Sequence, residues 1–237
     1  MKRNAILFVY RDYQTAVEKV TNSVLIMLRY PVAGKAKTRL AAAMGPEKAA
    51  EFYRICARQV LREMGNLPAQ VSRYVFFTDS TDQQDVEEWA GPGFNFKAQA
   101  GKDLGERLIN AFTEVFSEGV GKAVIIASDV PDISADIINQ ALEVLDCCDI
   151  VLGPSHDGGY YLLGMSKLHR ELFQGIPWSS PEVMERTLAR ADETGLTACL
   201  LPTLIDIDNF EDFKMWLSLC SNRNKAMADF ISCLNPS

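Results

Sequence analysis

VIIASDVPDI (residues 124–133) and DIVLGPSHDGGYYLLG (residues 149–164) decide the fold, because each carries an apolar run straight into acids. Ala123–Ala127 has the continuous apolar character of a buried parallel strand. At its carboxyl end stand Asp129 and Asp132, with Pro131 between them turning the chain out of the sheet. Ligands of open α/β sheets bind just outside such strand ends. The second stretch repeats the arrangement: Asp149–Leu152 runs into Ser155-His156-Asp157-Gly158-Gly159, and Tyr160–Gly164 returns as a strand. The turn between them is too short for a crossover helix, so this last pair is expected to be antiparallel. Asp129, Asp132 and Asp157 are thereby brought to one edge, beside glycines that admit a ligand close to the backbone. A helix N-cap before Ile133–Leu145 is the plainer account of Asp129 and Asp132. The second acidic, glycine-rich turn favours a metal or diphosphate site.

Outward from this centre, strands alternate with helices. Ser23–Leu28, Arg73–Thr78, Phe94–Ala98 and Ala198–Leu204 read as further strands. Gly45–Met64, Asp82–Trp89, a segment with Leu108, Phe112 and Val115, Pro181–Asp192 and Phe210–Cys220 read as helices. In Gly45–Met64 the apolar residues Phe52, Cys56, Val60 and Met64 recur at helical spacing. The alternation implies an α/β fold with a mostly parallel sheet and helices on both faces, in one domain spanning residues 1–237. Residues 1–22 are expected to be peripheral, with a weak helix at Tyr13–Val20, Arg29–Leu40 to be a loop, and the Asn222–Ser237 tail to pack loosely.

At 237 residues and 48% hydrophobic composition the chain can bury a sizeable core. Its net charge of −7 argues against non-specific binding to nucleic acid or anionic membrane, so phosphate recognition has to be local. No apolar run approaches the ~20 residues of a membrane span, and no small-residue cleavage site follows the N-terminal apolar patch. The six cysteines lack metal-ligand spacing and sit mostly in apolar runs. They read as buried thiols of a reducing, cytoplasmic compartment rather than a disulfide frame.

The first loop supplies the local positive charge: Arg29, Lys35, Lys37 and Arg39 fall within eleven residues, with Pro31 and Gly34 shaping the turn. A basic, glycine-containing loop after the first strand suits nucleotide phosphates, although this one lacks the P-loop pattern. Gly105 and Arg107, in GKDLGER, and Asp79, at the second strand's exit, are placed near the same nucleotide.

Together, LRYPVAGKAKTRLAAAMGPEKAAEFYR (28–54), GKDLGER (101–107), IIASDVPDI, GPSHDGGYYLLG, PWSS (177–180) and DIDNFEDF (206–213) resemble one family. It is the bacterial GT-A-type glycosyltransferases, some assigned to arsenosugar biosynthesis, relatives of nucleotidyltransferases that load molybdenum-cofactor and phospholactate precursors. The resemblance covers roughly residues 23–215. It implies a nucleotide-diphospho-sugar-transferase fold, a three-layer α/β/α sandwich that uses a divalent metal (Mg²⁺ or Mn²⁺). It also implies a nucleotide-sugar donor and a small-molecule acceptor, and it supports pairing Asp208 with Asp129 as metal ligands. Two departures stand out: Arg29 occupies a position where lysine is expected, and Asp129-Val130-Pro131-Asp132 is not a strict Asp-x-Asp.

The chemistry follows. A cation held by Asp129 and Asp208 would neutralise a departing nucleoside diphosphate. Asp157 is the candidate general base. Asp132, Gly158, Gly159, Tyr160 and Trp178 are expected on the acceptor side. Nucleotidyl transfer from a triphosphate is the alternative reaction, and a nucleotide-binding module without turnover the alternative class.

Overall fold

The computed structural model describes residues 21–78, 82–219 and 225–234. β1 (Thr21–Leu28) leads into α1 (Thr38–Met44) and α2 (Pro46–Gly65), followed by β2 (Val71–Phe77), α3 (Gln83–Ala90) and β3 (Asn95–Ala98). Next come α4 (Leu104–Ser117), β4 (Val120–Ala127), α5 (Ala135–Val144), and the paired strands β5 (Ile150–Pro154) and β6 (Tyr160–Met165). A 3-10 turn at Arg170–Phe173 precedes α6 (Val183–Glu193), β7 (Ala198–Leu200), α7 (Phe210–Leu219) and α8 (Lys225–Leu234).

The strands form one sheet in the order β3-β2-β1-β4-β6-β5-β7. All neighbours are parallel except at β6, which runs antiparallel to β5, as the short turn requires, and also to β4. Side chains alternate across the sheet. Val24, Ile26 and Leu28 of β1 meet α2, α3 and α5 through residues such as Val60, Val86 and Ile138. Leu25, on the opposite face, belongs with Leu108 and Phe112 of α4 and Ala191 of α6. This is the expected three-layer α/β/α sandwich. A third cluster joins Leu40 of α1 and Phe52 of α2 to Phe213 and Trp216 of α7 and Phe230 of α8.

Four expectations are corrected. The last three residues of the expected loop, 38–40, open the seven-residue helix Thr38–Met44, which buries only Leu40 and so lacks an apolar stripe. The tail is not loose where it is described: α8 buries Met227 and Phe230 against the third cluster. The last strand stops at Leu200, two residues before Pro202. The cysteines are not uniformly buried thiols: Cys56 is buried, Cys147 and Cys233 are exposed, and Cys148 and Cys199 form a disulfide with Cα atoms 6.1 Å apart. Sequence spacing could not show that pair, since parallel pairing of β5 with β7 joins residues 51 apart. The expected helix at Tyr13–Val20 lies outside the described residues.

Candidate functional site

Three segments converge at the carboxyl edge of β1 and β4. The first is the loop leaving β1. It turns at Val32–Ala36, where the N–H groups of Lys35 and Ala36 donate to the Val32 carbonyl, and Ala36 is buried. Lys37 then adopts a left-handed backbone (φ 50°, ψ 50°) at the start of α1, with no side-chain cap. This conformation sends Lys37 inward, its side chain 6% exposed, while Arg39 remains 68% exposed.

The second segment is the β4 exit. Ser128 is buried, and its hydroxyl lies 2.8 Å from the Tyr53 hydroxyl, which also accepts the Arg29 N–H at 3.1 Å. Tyr53, on α2, thus ties the β1 exit to the β4 exit from beneath. Burial, with the Asp129 charge adding to it, pushes its phenol up to about 12. The helix-cap account of Asp129 fails, because the Ser134 side chain caps α5.

The third segment follows β7. The Leu204 N–H donates to the Pro154 carbonyl and the His156 N–H to that of Leu204, so the chain lies along the β5 exit. The Ile207 N–H donates to the Asp129 carbonyl at 3.3 Å. Ile205 and Ile207 are buried in the third cluster, and the two-residue alternation turns Asp206 and Asp208 together to the other side. Asn209 caps α7 by accepting from the N–H groups of Glu211 and Asp212, which leaves the Asp208 carboxylate free of that task.

One carboxylate oxygen from each of Asp129, Asp206 and Asp208 lies within 4.8 Å of the others. The Lys37 ammonium sits among them, 2.6 Å from Asp129, 2.5 Å from Asp208 and 3.6 Å from Asp206. Burial works against the charge of Lys37, yet the pull of the three acids outweighs it and holds its pKa well above the usual lysine range. Burial also opposes ionisation of Asp208, but Lys37, with help from Arg39, holds its carboxyl below the usual range. One ammonium cannot neutralise three carboxylates, and Asp206 bears the excess. Burial and repulsion from Asp129 push its carboxyl well above the usual range, against the pull of Lys37. Its buried Oδ1 accepts no hydrogen bond.

These residues fit a hard divalent cation. The donor set is all carboxylate, the type that suits magnesium or manganese, and the buried Asp206 Oδ1 is an acceptor with no hydrogen bond, met only by the longer ion pair to Lys37.

Asp129 is shared by two cavities. One, of about 460 Å³, is polar and lined by Arg29, Lys37, Arg39, Arg107, Tyr53 and Gln99, with Asp208 beside Asp129. Its Gln99 is fixed by donating to the carbonyls of Leu28 and Phe76. The other, of about 260 Å³, is more apolar and includes Met27, Leu104, Tyr160 and Tyr161, together with Asp206. A larger groove of about 760 Å³ lies between α2 and α8 and contains none of the three acids, so it is not the candidate site.

Among the residues singled out by sequence, the structure brings together Arg29, Lys37, Arg39, Arg107, Asp129 and Asp208. Lys37, expected to face phosphate, pairs with the acids while also lining this cavity. Lys35 and Gly34 are exposed on the loop, and buried Pro31 accepts from Arg54 through its carbonyl. Gly105 and Trp178 meet each other: a Cβ on Gly105 would lie 2.5 Å from the indole nitrogen, and the indole stacks on Phe173. Asp132 accepts from the Trp216 indole N–H at 2.8 Å and is not part of the acid cluster. Asp157 accepts from the Ser155 hydroxyl and the Gly159 N–H. Gly158, at φ 88°, packs where a Cβ would overlap the Pro181 carbonyl, so the turn is docked on the segment leading into α6. Tyr160 faces the smaller cavity, and Asp79 lies outside the described residues. Sequence reasoning missed Asp206, Tyr53, Ser128 and Gln99. For Asp206 the signal was available, since D-I-D around one apolar residue in an extended segment places both acids on one side.

The family model described as "Uncharacterized protein conserved in bacteria (DUF2064)" matches residues 61–180. No curated protein matches the chain. Among solved structures, a candidate nucleotide-diphospho-sugar transferase from Desulfovibrio desulfuricans G20 is 31% identical over 87% of this chain and 92% of its own, with a TM-score of 0.81. A cytidylyltransferase from Leptospira borgpetersenii serovar Hardjo-bovis is similar at 16% identity (91% and 94% covered, TM-score 0.55). Glucosyl-3-phosphoglycerate synthase from Mycobacterium tuberculosis, solved with Mn²⁺, UDP and glucosyl-3-phosphoglycerate, is similar at 14% identity (93% and 82% covered, TM-score 0.52). The last two likenesses are of fold.

Proposed function

We propose that this chain, which belongs to the DUF2064 family of proteins conserved in bacteria, is a metal-dependent glycosyltransferase that moves a sugar from a nucleotide-diphosphate donor to a small acceptor. The observation that carries the reading is the acidic cup of Asp129, Asp206 and Asp208 opening onto a cavity with three arginines. Anionic donor and cation have adjoining places there, each with complementary charge.

In this reading Arg29, Arg39 and Arg107 clamp the diphosphate, for which a planar guanidinium offers paired donors. Asp129, Asp206 and Asp208 hold Mg²⁺ or Mn²⁺. When bound there, the cation supplies charge neutralisation to the leaving nucleoside diphosphate. The smaller cavity next to Asp129 and Asp206 receives the donor's sugar, its apolar wall and tyrosines excluding water. Asp157 is assigned the proton of the acceptor hydroxyl. Its Oδ1 is occupied by Ser155 and Gly159, so the proton goes to Oδ2. Gly158, Gly159 and Tyr160 shape the acceptor side. Asp132 and Trp178 have structural partners and serve as supports.

The test is thermal stability of the purified protein against UDP-, GDP-, ADP- and dTDP-sugars and free triphosphates, each with Mg²⁺, Mn²⁺ or EDTA. A ligand at 100 times its dissociation constant adds ~2.7 kcal/mol. A metal-dependent shift with one diphospho-sugar class is expected. A shift with triphosphates alone would replace sugar transfer by nucleotidyl transfer, and no shift in a folded sample would overturn both.

A further inference from the structure

The geometry points to Lys37 and a divalent cation as alternative occupants of one cup: the ammonium fills it in the metal-free protein, and cation entry expels Lys37 into the adjoining anion cavity. The inference rests on the proposed function for the identity of the anion, a diphosphate, but its first half concerns the metal alone.

Four observations carry it. First, the two occupants exclude each other. An oxygen-ligated divalent cation sits about 2.0–2.6 Å from its ligands, and the Lys37 ammonium already stands 2.6 Å from Asp129 and 2.5 Å from Asp208. Second, the ammonium leaves the cup incompletely satisfied: Asp206 is 3.6 Å away and its Oδ1 is buried without a hydrogen bond. A cation of twice the charge, free to accept a third ligand, completes what Lys37 cannot.

Third, the backbone at Lys37 is strained. Only Lys37 and Ser179 among the described non-glycine residues have positive φ, a strained conformation that persists only where its surroundings impose it. Its neighbours Lys35, Thr38 and Arg39 are exposed, and no side chain caps α1. The ammonium among the acids holds Lys37 in this conformation together with the Ala41 N–H bond to its carbonyl and the buried neighbours Ala36 and Leu40, so releasing the ammonium removes one of the restraints that impose the strain. Fourth, the expelled side chain has a destination, since Lys37 also lines the cavity with Arg29, Arg39 and Arg107. A bound diphosphate supplies there the negative charge that Lys37 gives up at the acids. Metal and diphosphate therefore promote each other's binding through one side chain, and the coupling is reciprocal.

Two measurements test this without turnover. Mn²⁺ binding, followed by electron paramagnetic resonance of the free ion, is compared in the wild type, Lys37→Met and Lys37→Gln, with no nucleotide present. The variants are expected to bind Mn²⁺ about ten-fold tighter or more, within the range of coupled sites. They should also melt earlier than wild type in EDTA and recover on Mn²⁺ by a larger shift. Equal or weaker Mn²⁺ affinity in both variants overturns the exchange, as does absence of Mn²⁺ binding in all three proteins, which makes Lys37 a permanent occupant. The second measurement uses the wild type only: acylation of Lys37 by acetic anhydride, read by peptide mass spectrometry. Saturating Mn²⁺ should accelerate labelling of Lys37 several-fold relative to the exposed Lys35, and an unchanged ratio overturns the proposal. If these measurements fail while a diphospho-sugar still stabilises the protein in a Mn²⁺-dependent way, the exchange falls and the transferase reading stands.

Discussion

Asp129 stands at the junction of everything described at the site: it bounds both cavities, binds Lys37 and accepts the Ile207 N–H. Asp129→Asn keeps its shape and removes its charge. The expected result is loss of any Mn²⁺-dependent thermal shift and, by forfeiting several kcal/mol of leaving-group stabilisation, a fall in turnover of ~1,000-fold. A variant that keeps its metal response would remove Asp129 from the cup. Tyr53→Phe acts differently, because it leaves the Arg29 N–H and the Ser128 hydroxyl without a partner, at a cost of ~1–3 kcal/mol in denaturant unfolding. These residues were unequally legible. Asp129 ends an apolar run and precedes a turn-making Val-Pro, so its address was written locally. Tyr53 sits in the apolar stripe of a helix, where a buried hydroxyl that reaches two other segments looks like any core aromatic. Asp206 is legible only through its alternation with Ile205 and Ile207 in an extended segment.

Elements with a long apolar stripe, such as α2 and α4, were readable from periodicity alone. α1 and α8 were not. The first buries one side chain and the second two, so their helicity depends on tertiary contacts that no local pattern carries. The start of α4 illustrates a constraint at this scale. Gly105 is there because the Trp178 indole occupies the space of its missing Cβ. Gly105→Ala is expected to cost ~1–3 kcal/mol by overpacking, measured by chemical denaturation. In a double-mutant cycle Trp178→Ala should absorb most of that penalty, since the two changes share one contact. Additive costs would refute the packing account.

For the molecule as a whole, reversal of β6 keeps the sheet's working edge intact. β5 leaves and β6 enters on the same side, so the Asp157 turn stays beside the exits of β4 and β7. Sequence alternation and one short turn carried the mostly parallel sheet and the β5–β6 reversal, whereas the place of β6 beside β4 and the covalent link between Cys148 and Cys199 depended on strand order. That link closes a loop of 51 residues, and Cys199→Ser is expected to lower stability by ~4 kcal/mol on the chain-entropy account. Global stability also has an alkaline limit. Burial is the main cause that pushes the phenols of Tyr53, Tyr74 and Tyr161 up to about 12, above the ordinary value of 10. A raised folded-state pKa contributes stability that is complete below pH 10 and lost as pH rises toward 12. Unfolding followed by circular dichroism should therefore set in between these values, with tyrosinate absorbance rising in step. Tyrosinate appearing fully near pH 10 in a folded sample would contradict it.

The hydrogen bond from Ile207 to the Asp129 carbonyl has a consequence for the order of events during synthesis. Two of the three acids, Asp206 and Asp208, are translated nearly eighty positions after the first. A nascent chain that has already laid down β4, β5 and β6 has scaffold but no cup, and a chain interrupted before residue 206 is left with a single acid of the three, however well its sheet has formed. The three-acid cup thus arrives late and all at once, when the last extended segment docks against the β4 exit.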